Sequence, residues 1–311
     1  MQVVKITPRG YCHGVVSALQ IVSNALKDYS IEKPIYILGQ IVHNINVTKA
    51  FTQAGAITLE GINREIMIDN VDKGTVIVTA HGISPMLIKK AKDKGLNVID
   101  ATCTDVLRTH DLIREYINNE YELLYIGKLN HPEPEGAIGI NKDKIHLITS
   151  IEDLHKIDIE GKVCITNQTT MSMWDVEDII NEAKLLFKDI EVLNEICPAT
   201  SERQLAIKEQ ENDIALTFVV GDKNSNNTNR LVSINNTFTK SKAYRIDTIE
   251  DIDIDLLKKF HDKKVSVSSG ASTPTIITTE VIEFLNNFDM NNLDTWDNKS
   301  KVDLRRIIPR K

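Results

Sequence analysis

Residues 74–105, GTVIVTAHGISPMLIKKAKDKGLNVIDATCTD, give the clearest indication of the fold. This stretch opens with a short β-branched run at 74–80, continues with a lysine-rich helical pattern at 85–95 and returns to a β-rich run at 97–101. Short strands that alternate with longer helices are typical of parallel α/β units. The stretch therefore predicts one strand, one crossover helix and a second parallel strand.

The same alternation extends over most of the chain, which predicts an α/β protein throughout. From residue 289 onward the sequence is rich in Asn and Asp and ends in basic residues, so we expect an arm that is packed on the surface or solvated. The predicted strand and helix pairs are 3–7 before 15–29, 97–101 before 105–119, 122–127 before a loop and a short helix, 162–166 before 172–188, 190–196 before 201–212, 214–221 before an Asn-rich loop, and 264–269 before 275–288.

Composition limits the possible classes of protein. A chain of 311 residues exceeds the roughly 250–300 residues at which single cores split, so two or three domains are expected. With 41% hydrophobic and 26% charged residues the chain is a typical folded protein. The net charge of −7 argues against nucleic acid or an anionic membrane as a general partner. The start MQVVKIT resembles no signal peptide and no 18-residue apolar run occurs, so we expect a cytoplasmic protein.

The unusual polar residues lie almost entirely just after predicted strands. In open α/β sheets, ligands bind beyond the carboxyl ends of the strands, so these loops are the candidate site. The loops are 8–14, 39–44, 79–84, 101–105, 129–136, 166–170, 195–200, 221–230 and 268–273.

Three cysteines are evenly spaced along the chain. Cys12 and Cys103 are 91 residues apart, and Cys103 and Cys197 are 94 residues apart. This spacing predicts three similar α/β modules around a shared centre. Each cysteine is followed at similar steps by two further polar residues, which are His43 and His81 after the first, His131 and Thr169 after the second, and Ser225 and Ser272 after the third.

These cysteines are candidate metal ligands. Each follows a strand and precedes a helix, where free amide groups stabilise a thiolate. Cys164 lies inside the apolar run KVCIT and is expected to be an inert core thiol. A disulfide framework is not expected in a cytosolic protein. Paired zinc spacing and a ferredoxin-type cysteine run are both missing from the sequence, so spacing alone leaves the kind of site open, including simple burial.

An ordered set of motifs identifies a family. The motifs are, in chain order, PRGYCHGV, IVHN, TAHG, DATC, HPEPEG, NQTT, EIC and KNSNNTNR. Each motif is weak alone, whereas the ordered set is specific. On these motifs the chain, from residue 1 to about residue 288, closely resembles the 4-hydroxy-3-methylbut-2-enyl diphosphate reductases, which act last in the non-mevalonate isoprenoid pathway.

The resemblance implies three similar α/β domains in a trefoil, with a pseudo-threefold arrangement around a central iron–sulfur cluster. One cysteine from each domain, namely Cys12, Cys103 and Cys197, would hold a [4Fe–4S] cluster whose fourth iron is open to substrate. The expected domains are residues 14–102, residues 103–194, and residues 1–13 together with 195–288, followed by the tail 289–311.

The resemblance also implies a reaction. Two electrons and protons would remove the hydroxyl of a small allylic diphosphate, giving isopentenyl and dimethylallyl diphosphates. Reduced ferredoxin or flavodoxin is the expected electron donor. Because hydroxide is a poor leaving group, an open iron acting as a Lewis acid and a nearby proton donor would both be needed.

Site residues carry over one by one. Glu133, in a loop stiffened by prolines, is the expected proton donor, with His131 and Thr169 orienting it and the hydroxymethyl end of the substrate. Glu135 is expected to be a solvated carboxylate. His81 and Ser272 precede helix starts, where free amides suit phosphate. The expected diphosphate contacts are His43, His81, Ser225, Asn226, Asn227 and Ser272.

Two departures from the family pattern and two rival functions stay open. Thr104 replaces a frequent proline and Asn226 a frequent serine, which leaves one diphosphate contact in doubt. One rival is a cluster-dependent hydro-lyase, which would consume no electrons. The other is a non-catalytic regulator that senses iron or oxygen, although no DNA-reading helix is evident.

Overall fold

The structure is a computed structural model that describes residues 1–61 and 63–308. The last three residues of the predicted tail, 309–311, lie outside the described residues. The chain forms two compact units. Unit 1 comprises Met1–Val16, His43–Ala50 and Pro198–Lys311, and unit 2 comprises Ser17–Val42 and Phe51–Cys197.

Twelve strands and twelve α-helices are numbered here in chain order over the described residues. The strands are β1 (Gln2–Lys5), β2 (Ile35–Leu38), β3 (Ile57–Leu59), β4 (Thr75–Val78), β5 (Asn97–Asp100), β6 (Tyr121–Ile126), β7 (Ile145–Ile148), β8 (Lys162–Asn167), β9 (Glu191–Val192), β10 (Ile214–Val220), β11 (Lys242–Ile246) and β12 (Lys264–Ser269). The helices are α1 (His13–Lys27), α2 (Ile45–Gln53), α3 (Arg64–Asp69), α4 (Pro85–Asp93), α5 (Thr104–Asn118), α6 (Pro132–Ile138), α7 (Ile151–Leu154), α8 (Met173–Leu186), α9 (Pro198–Lys208), α10 (Asn226–Phe238), α11 (Ile254–Lys259) and α12 (Thr275–Asn287).

The strands form three four-stranded sheets, all with parallel pairing. Unit 2 contains the sheets β3-β2-β4-β5 and β7-β6-β8-β9, and unit 1 contains β11-β10-β12-β1. Taken in this direction the three orders are the same, with the second strand at one edge and the fourth at the other. The prediction of three similar parallel α/β modules is therefore confirmed. In the third module the fourth strand is β1, which pairs with β12 from Gln2 opposite Lys264 to Lys5 opposite Val267.

The central strands are buried on both faces, as expected for parallel sheets covered by helices. All four residues of β4 are buried, and the apolar side of α4, with Leu87 and Ala91, packs against this sheet. Gly74, directly before β4, has a φ of 101°, and a Cβ there would meet the carbonyl oxygen of Pro34 at 2.4 Å. A close backbone approach therefore requires glycine at position 74.

The structure corrects the predicted extent of the strand at 190–196. Only Glu191 and Val192 pair with β8. Beyond them the backbone N–H of Leu193 still donates to Ile165 O at 2.8 Å, but that of Glu195 donates to the side chain of Asn167 at 3.1 Å. Because a side-chain acceptor replaces the strand partner, the chain leaves the sheet before Cys197.

Two predicted loops are in fact helix starts. Residues 226–230, expected in an Asn-rich loop, begin α10, and Ser225 caps this helix by accepting from Thr228 N at 3.2 Å. Glu133, expected in a loop, lies in the first turn of α6. Pro132 occupies the first position of that helix, where its missing N–H costs nothing.

The described part of the tail packs against unit 1. Ile307 is buried, and its carbonyl accepts from the Tyr11 hydroxyl at 3.3 Å. Ser300 Oγ donates to Glu280 Oε2 at 2.7 Å. Of the two expectations for this arm, packing on the surface is thus observed. Among the described residues, no helix is both long and apolar enough to cross a membrane.

Candidate functional site

The predicted site residues occupy equivalent loops in the three modules. Within each module the strands are counted in chain order, and β1 counts as the fourth strand of the third module. The predicted residues follow the carboxyl ends of the first, third and fourth strands, and none of them follows a second strand. First strands precede His43, His131 and Ser225, third strands precede His81, Thr169 and Ser272, and fourth strands precede Cys103, Cys197 and Cys12.

Each of the three spaced cysteines is fixed by the same kind of backbone hydrogen bond. Its amide donates to a carbonyl in the loop after the third strand of a sheet. None of the three forms a disulfide within the described residues, and all three are partly exposed. The donor and acceptor pairs are Cys12 N to Ala271 O at 3.1 Å, Cys103 N to Ala80 O at 3.0 Å, and Cys197 N to Thr169 O at 3.2 Å.

Cys164 differs from the other three, as predicted. It is fully buried in β8, and burial raises the pKa of its thiol to about 12, with the charge of Glu191 adding to the effect. A thiol this reluctant to ionise is a poor metal ligand. The other three residues are partly exposed, as a cysteine that binds a soft metal ion through its thiolate must be.

Glu133 is a buried carboxyl group held beside Thr169. Its Oε1 accepts from Thr169 N at 2.7 Å, and the Thr169 hydroxyl is also hydrogen-bonded to the carboxyl group. Burial raises the pKa of Glu133 to about 7, the two bonds from Thr169 oppose that rise, and Asp105 adds a small increase. A carboxyl group with this pKa can hold or release a proton near neutral pH.

His131 caps helix α6 through its ring. The Nδ1 atom accepts from Glu133 N at 3.2 Å and lies 3.1 Å from Gln168 Nε2. A backbone amide can only donate, so a neutral His131 carries its proton on Nε2. Sequence analysis did not single out Gln168, although it lies in the quoted motif NQTT. Its Oε1 also accepts from Lys128 N at 3.0 Å.

His81 lies near His131 within unit 2. Their ring centroids are 5.5 Å apart and the ring planes are nearly perpendicular at 89°. The structure therefore groups His81, His131, Glu133 and Thr169. It also reveals Arg64, which sequence analysis missed. This arginine is buried and donates to the carbonyl of Gly82 and to Thr79 Oγ1 in the loop that carries His81.

The remaining predicted diphosphate residues lie in unit 1. Ser272 Oγ donates to the backbone carbonyl of His43 at 2.9 Å. Asn227 is buried, accepts from Ala271 N at 3.0 Å and donates to Thr200 Oγ1 at 3.3 Å, so its amide ties three segments together.

Ser225 and Asn226 are buried at the start of the 13-residue helix α10. The first amide groups of a helix have no partner within the helix, and they carry the positive end of its dipole. This helix start is therefore a suitable place for a phosphate group. Asn226, the departure from the family pattern, can offer its own amide there.

Glu135 is exposed, as expected of a solvated carboxylate. Its charge nevertheless acts on buried Arg64, whose pKa burial lowers to about 10 while Glu135 opposes the change. Arg64 therefore stays charged at neutral pH.

Comparison with known proteins shows similarity along almost the whole chain. The model of the LytB protein family matches residues 3–286. The 4-hydroxy-3-methylbut-2-enyl diphosphate reductase of Anoxybacillus flavithermus is 52% identical over 311 residues, covering 100% of this chain and 98% of that protein. The protein of the same name from a Geobacillus species is 51% identical with the same coverage.

Solved structures show the same fold. The E-1-hydroxy-2-methyl-but-2-enyl-4-diphosphate reductase of Plasmodium falciparum has a TM-score of 0.85 and 34% identity, with 93% of this chain and 89% of that chain covered. A second structure, of the reductase described as the terminal enzyme of the non-mevalonate pathway, has a TM-score of 0.66 and 30% identity. It covers 93% of this chain and 100% of that chain.

Proposed function

The chain belongs to the LytB protein family, and from this premise we propose that it reduces 4-hydroxy-3-methylbut-2-enyl diphosphate to isopentenyl and dimethylallyl diphosphates. Relatives that carry the name of this reductase match it at about half of all positions over its whole length. The single structural observation that carries the proposal is the buried Glu133 carboxyl group, held by Thr169 beside a histidine of fixed tautomer.

A [4Fe–4S] cluster is the cofactor that we propose. Cys12, Cys103 and Cys197 would hold it, because they are the accessible thiols and lie in equivalent loops, whereas Cys164 is buried. When bound, such a cluster supplies electrons and a Lewis-acidic iron, chemistry that amino-acid side chains lack.

Proton delivery falls to Glu133. The carbon–oxygen bond breaks more easily when the departing oxygen is protonated, and Glu133 holds a proton over a large part of the population near pH 7. Thr169 fixes the orientation of the carboxyl group, and His131 offers an Nε2–H that can donate to the substrate oxygen.

Binding of the diphosphate falls to groups that carry little net charge. Unit 1 offers the N-terminus of α10 with Ser225, Asn226 and Asn227, together with His43 and Ser272. In unit 2 the proposed diphosphate contact is His81. Hydrogen bonds from hydroxyl, amide and imidazole groups to a charged phosphate are stronger than neutral ones, so these groups compensate for the net negative charge of the chain.

Dependence on a reductant tests the proposal against a hydro-lyase. Protein purified without oxygen is mixed with 4-hydroxy-3-methylbut-2-enyl diphosphate and dithionite, and products are measured by mass spectrometry. We expect the two five-carbon diphosphates only when reductant is present. Turnover without reductant, or iron-free protein that is fully active, would overturn the proposal.

The physiological electron donor is a separate part of the proposal. We expect reduced ferredoxin or flavodoxin to replace dithionite in the same assay, since both deliver single electrons at low potential. Equal turnover with NADPH alone and no intermediate carrier would contradict this part while leaving the reaction itself in place.

A further inference from the structure

Arg64 and Thr79 form a buried hydrogen-bonded chain that leads to the ring of His81. Arg64 is 5% exposed and Thr79 is 1% exposed. One guanidinium nitrogen donates to Gly82 O, and the other lies 3.4 Å from Thr79 Oγ1. Thr79 Oγ1 in turn lies 3.3 Å from His81 Nδ1. The guanidinium thus contacts the loop on both sides of the histidine.

The direction of each bond follows from donor chemistry. A guanidinium group donates and never accepts, so Thr79 Oγ1 is the acceptor from Arg64. The threonine hydroxyl has one hydrogen left to donate. Within the described ranges 1–61 and 63–308, the hydrogen-bond partners of this oxygen are Arg64 and His81 alone.

Two arrangements of the proton on His81 are then possible. If Nδ1 carried it, Nδ1 would donate to Thr79, and the buried threonine hydrogen would be left without an acceptor among the described residues. A buried donor without an acceptor destabilises the arrangement that contains it. If Nε2 carries the proton, the threonine hydroxyl donates to Nδ1 and both groups are satisfied. The second arrangement is therefore favoured.

We propose that Arg64 is a positioning residue that acts through Thr79 to hold neutral His81 in the Nε2–H tautomer. Two hydrogen bonds from one rigid guanidinium also fix the backbone of residues 79–82, and with it the direction of the ring. Since His131 carries its proton on Nε2 through Glu133 N and Gln168, two neighbouring imidazoles present the same kind of donor.

The consequence for binding rests on the proposed function. An Nε2–H group donates to a phosphate oxygen, whereas a bare Nε2 would place a lone pair against it and repel it. Position 81 would therefore donate a hydrogen bond from Nε2 to the diphosphate.

Substitutions at Thr79 test the hydrogen bonds from Arg64 to His81 without removing the buried charge of Arg64. Thr79→Val removes the hydroxyl at nearly constant volume, and Thr79→Ser keeps it. Thr278→Val is the matched control, because Thr278 is also buried and its hydroxyl has no hydrogen-bond partner in the described part of the chain. Arg64→Met removes the guanidinium from which the hydrogen bonds to Gly82 and Thr79 begin.

The tautomer is read directly from the imidazole nitrogen-15 chemical shifts of His81, assigned with a His81→Asn variant. In wild-type protein we expect an unprotonated Nδ1 and a protonated Nε2. Thr79→Val and Arg64→Met should give a mixture of tautomers, and Thr79→Ser and Thr278→Val should match wild type. A dominant Nδ1–H form in wild type, or an unchanged spectrum in Thr79→Val, would overturn the proposal.

A second readout concerns binding. We expect Thr79→Val to raise KM for the diphosphate substrate and the inhibition constant of inorganic diphosphate by about 5- to 20-fold, with kcat within about twofold, and Thr79→Ser to restore both. A loss confined to kcat would contradict the inference. Because the tautomer is measured without substrate, a chain that failed to turn over 4-hydroxy-3-methylbut-2-enyl diphosphate would disprove the proposed function and leave the first readout decisive.

Discussion

The Oε1 atom of Glu133 lies 2.7 Å from the backbone nitrogen of Thr169, which donates a hydrogen bond to it. Glu133 follows β6 and Thr169 follows the neighbouring strand β8 of the same sheet. Burial of this carboxyl group and the bonds from Thr169 act on its pKa in opposite directions, and burial dominates. Thr169 thus fixes the position of the proposed proton donor and partly offsets the effect of burial on its pKa.

Replacing Glu133 by Gln should keep cofactor content and substrate affinity but lower turnover by about 10²- to 10⁴-fold, the usual contribution of a general acid. Glutamine preserves size but cannot release the proton. Single-turnover reduction by chemically reduced protein measures the effect, with iron content and binding determined on the same samples. Glu135→Gln, at an exposed carboxylate of the same helix, is the control and should stay near the wild-type rate.

The rate should fall as pH rises through about 7, where Glu133 loses its proton. Thr169→Val keeps the backbone N–H but removes the hydroxyl that favours the charged form. The pKa of Glu133 should therefore rise further, and the descending limb should move to higher pH. The measurement is kcat against pH with both proteins fully loaded. A limb that moved to lower pH would show that another group titrates.

The free energy of unfolding should also depend on pH through Glu133. Because folding raises the pKa of Glu133 from its ordinary 4.5 to about 7, its contribution is fully present below about pH 4.5 and is lost as pH rises through about 7. Glu133→Gln should flatten the dependence of the unfolding midpoint in this window. Urea titrations at several pH values measure it, and an unchanged slope would contradict the assignment.

Replacing Cys12, Cys103 or Cys197 by Ser should remove most iron and acid-labile sulfide from anaerobically purified protein. Cys164→Ser should keep both, because Cys164 is buried in β8. The hydroxyl of the new serine would lie among apolar side chains. We expect Cys164→Ser to cost about 1–3 kcal/mol of folding stability instead. Loss of iron and sulfide in Cys164→Ser alone would show that the proposed set of cysteine ligands is wrong.

His43→Ala and Ser225→Ala should each weaken substrate binding by roughly 1–3 kcal/mol, since charge-assisted partners would be lost. Ser225 also caps α10, and loss of a cap costs about 1 kcal/mol of stability. Asp253→Ala removes the cap of α11 and separates the two effects. It should destabilise the protein without changing the dissociation constant measured by calorimetry.

The sequence predicted the repeated strand-to-loop pattern because apolar runs and polar loops are local properties. The ring of His131 serving as a helix cap was not predictable, since proline and glutamate around it were read as a stiff loop. The burial of Arg64 could not be predicted for a different reason. Arg64 begins a short helix in NREIMID, where an arginine is ordinarily exposed, and only tertiary packing places it under residues 79–82.

The pairing of β1 with β12 has a consequence for biosynthesis. Strand β1 is made first, yet its partner ends at Ser269, so the loop with Cys12 cannot reach its final backbone position until most of the chain has left the ribosome. The sheets of unit 2, whose strands are close in sequence, can form earlier. The proposed cluster, which would need all three thiols, would therefore be inserted only after β12 has been made, and we expect a nascent chain arrested before residue 264 to be unable to retain iron.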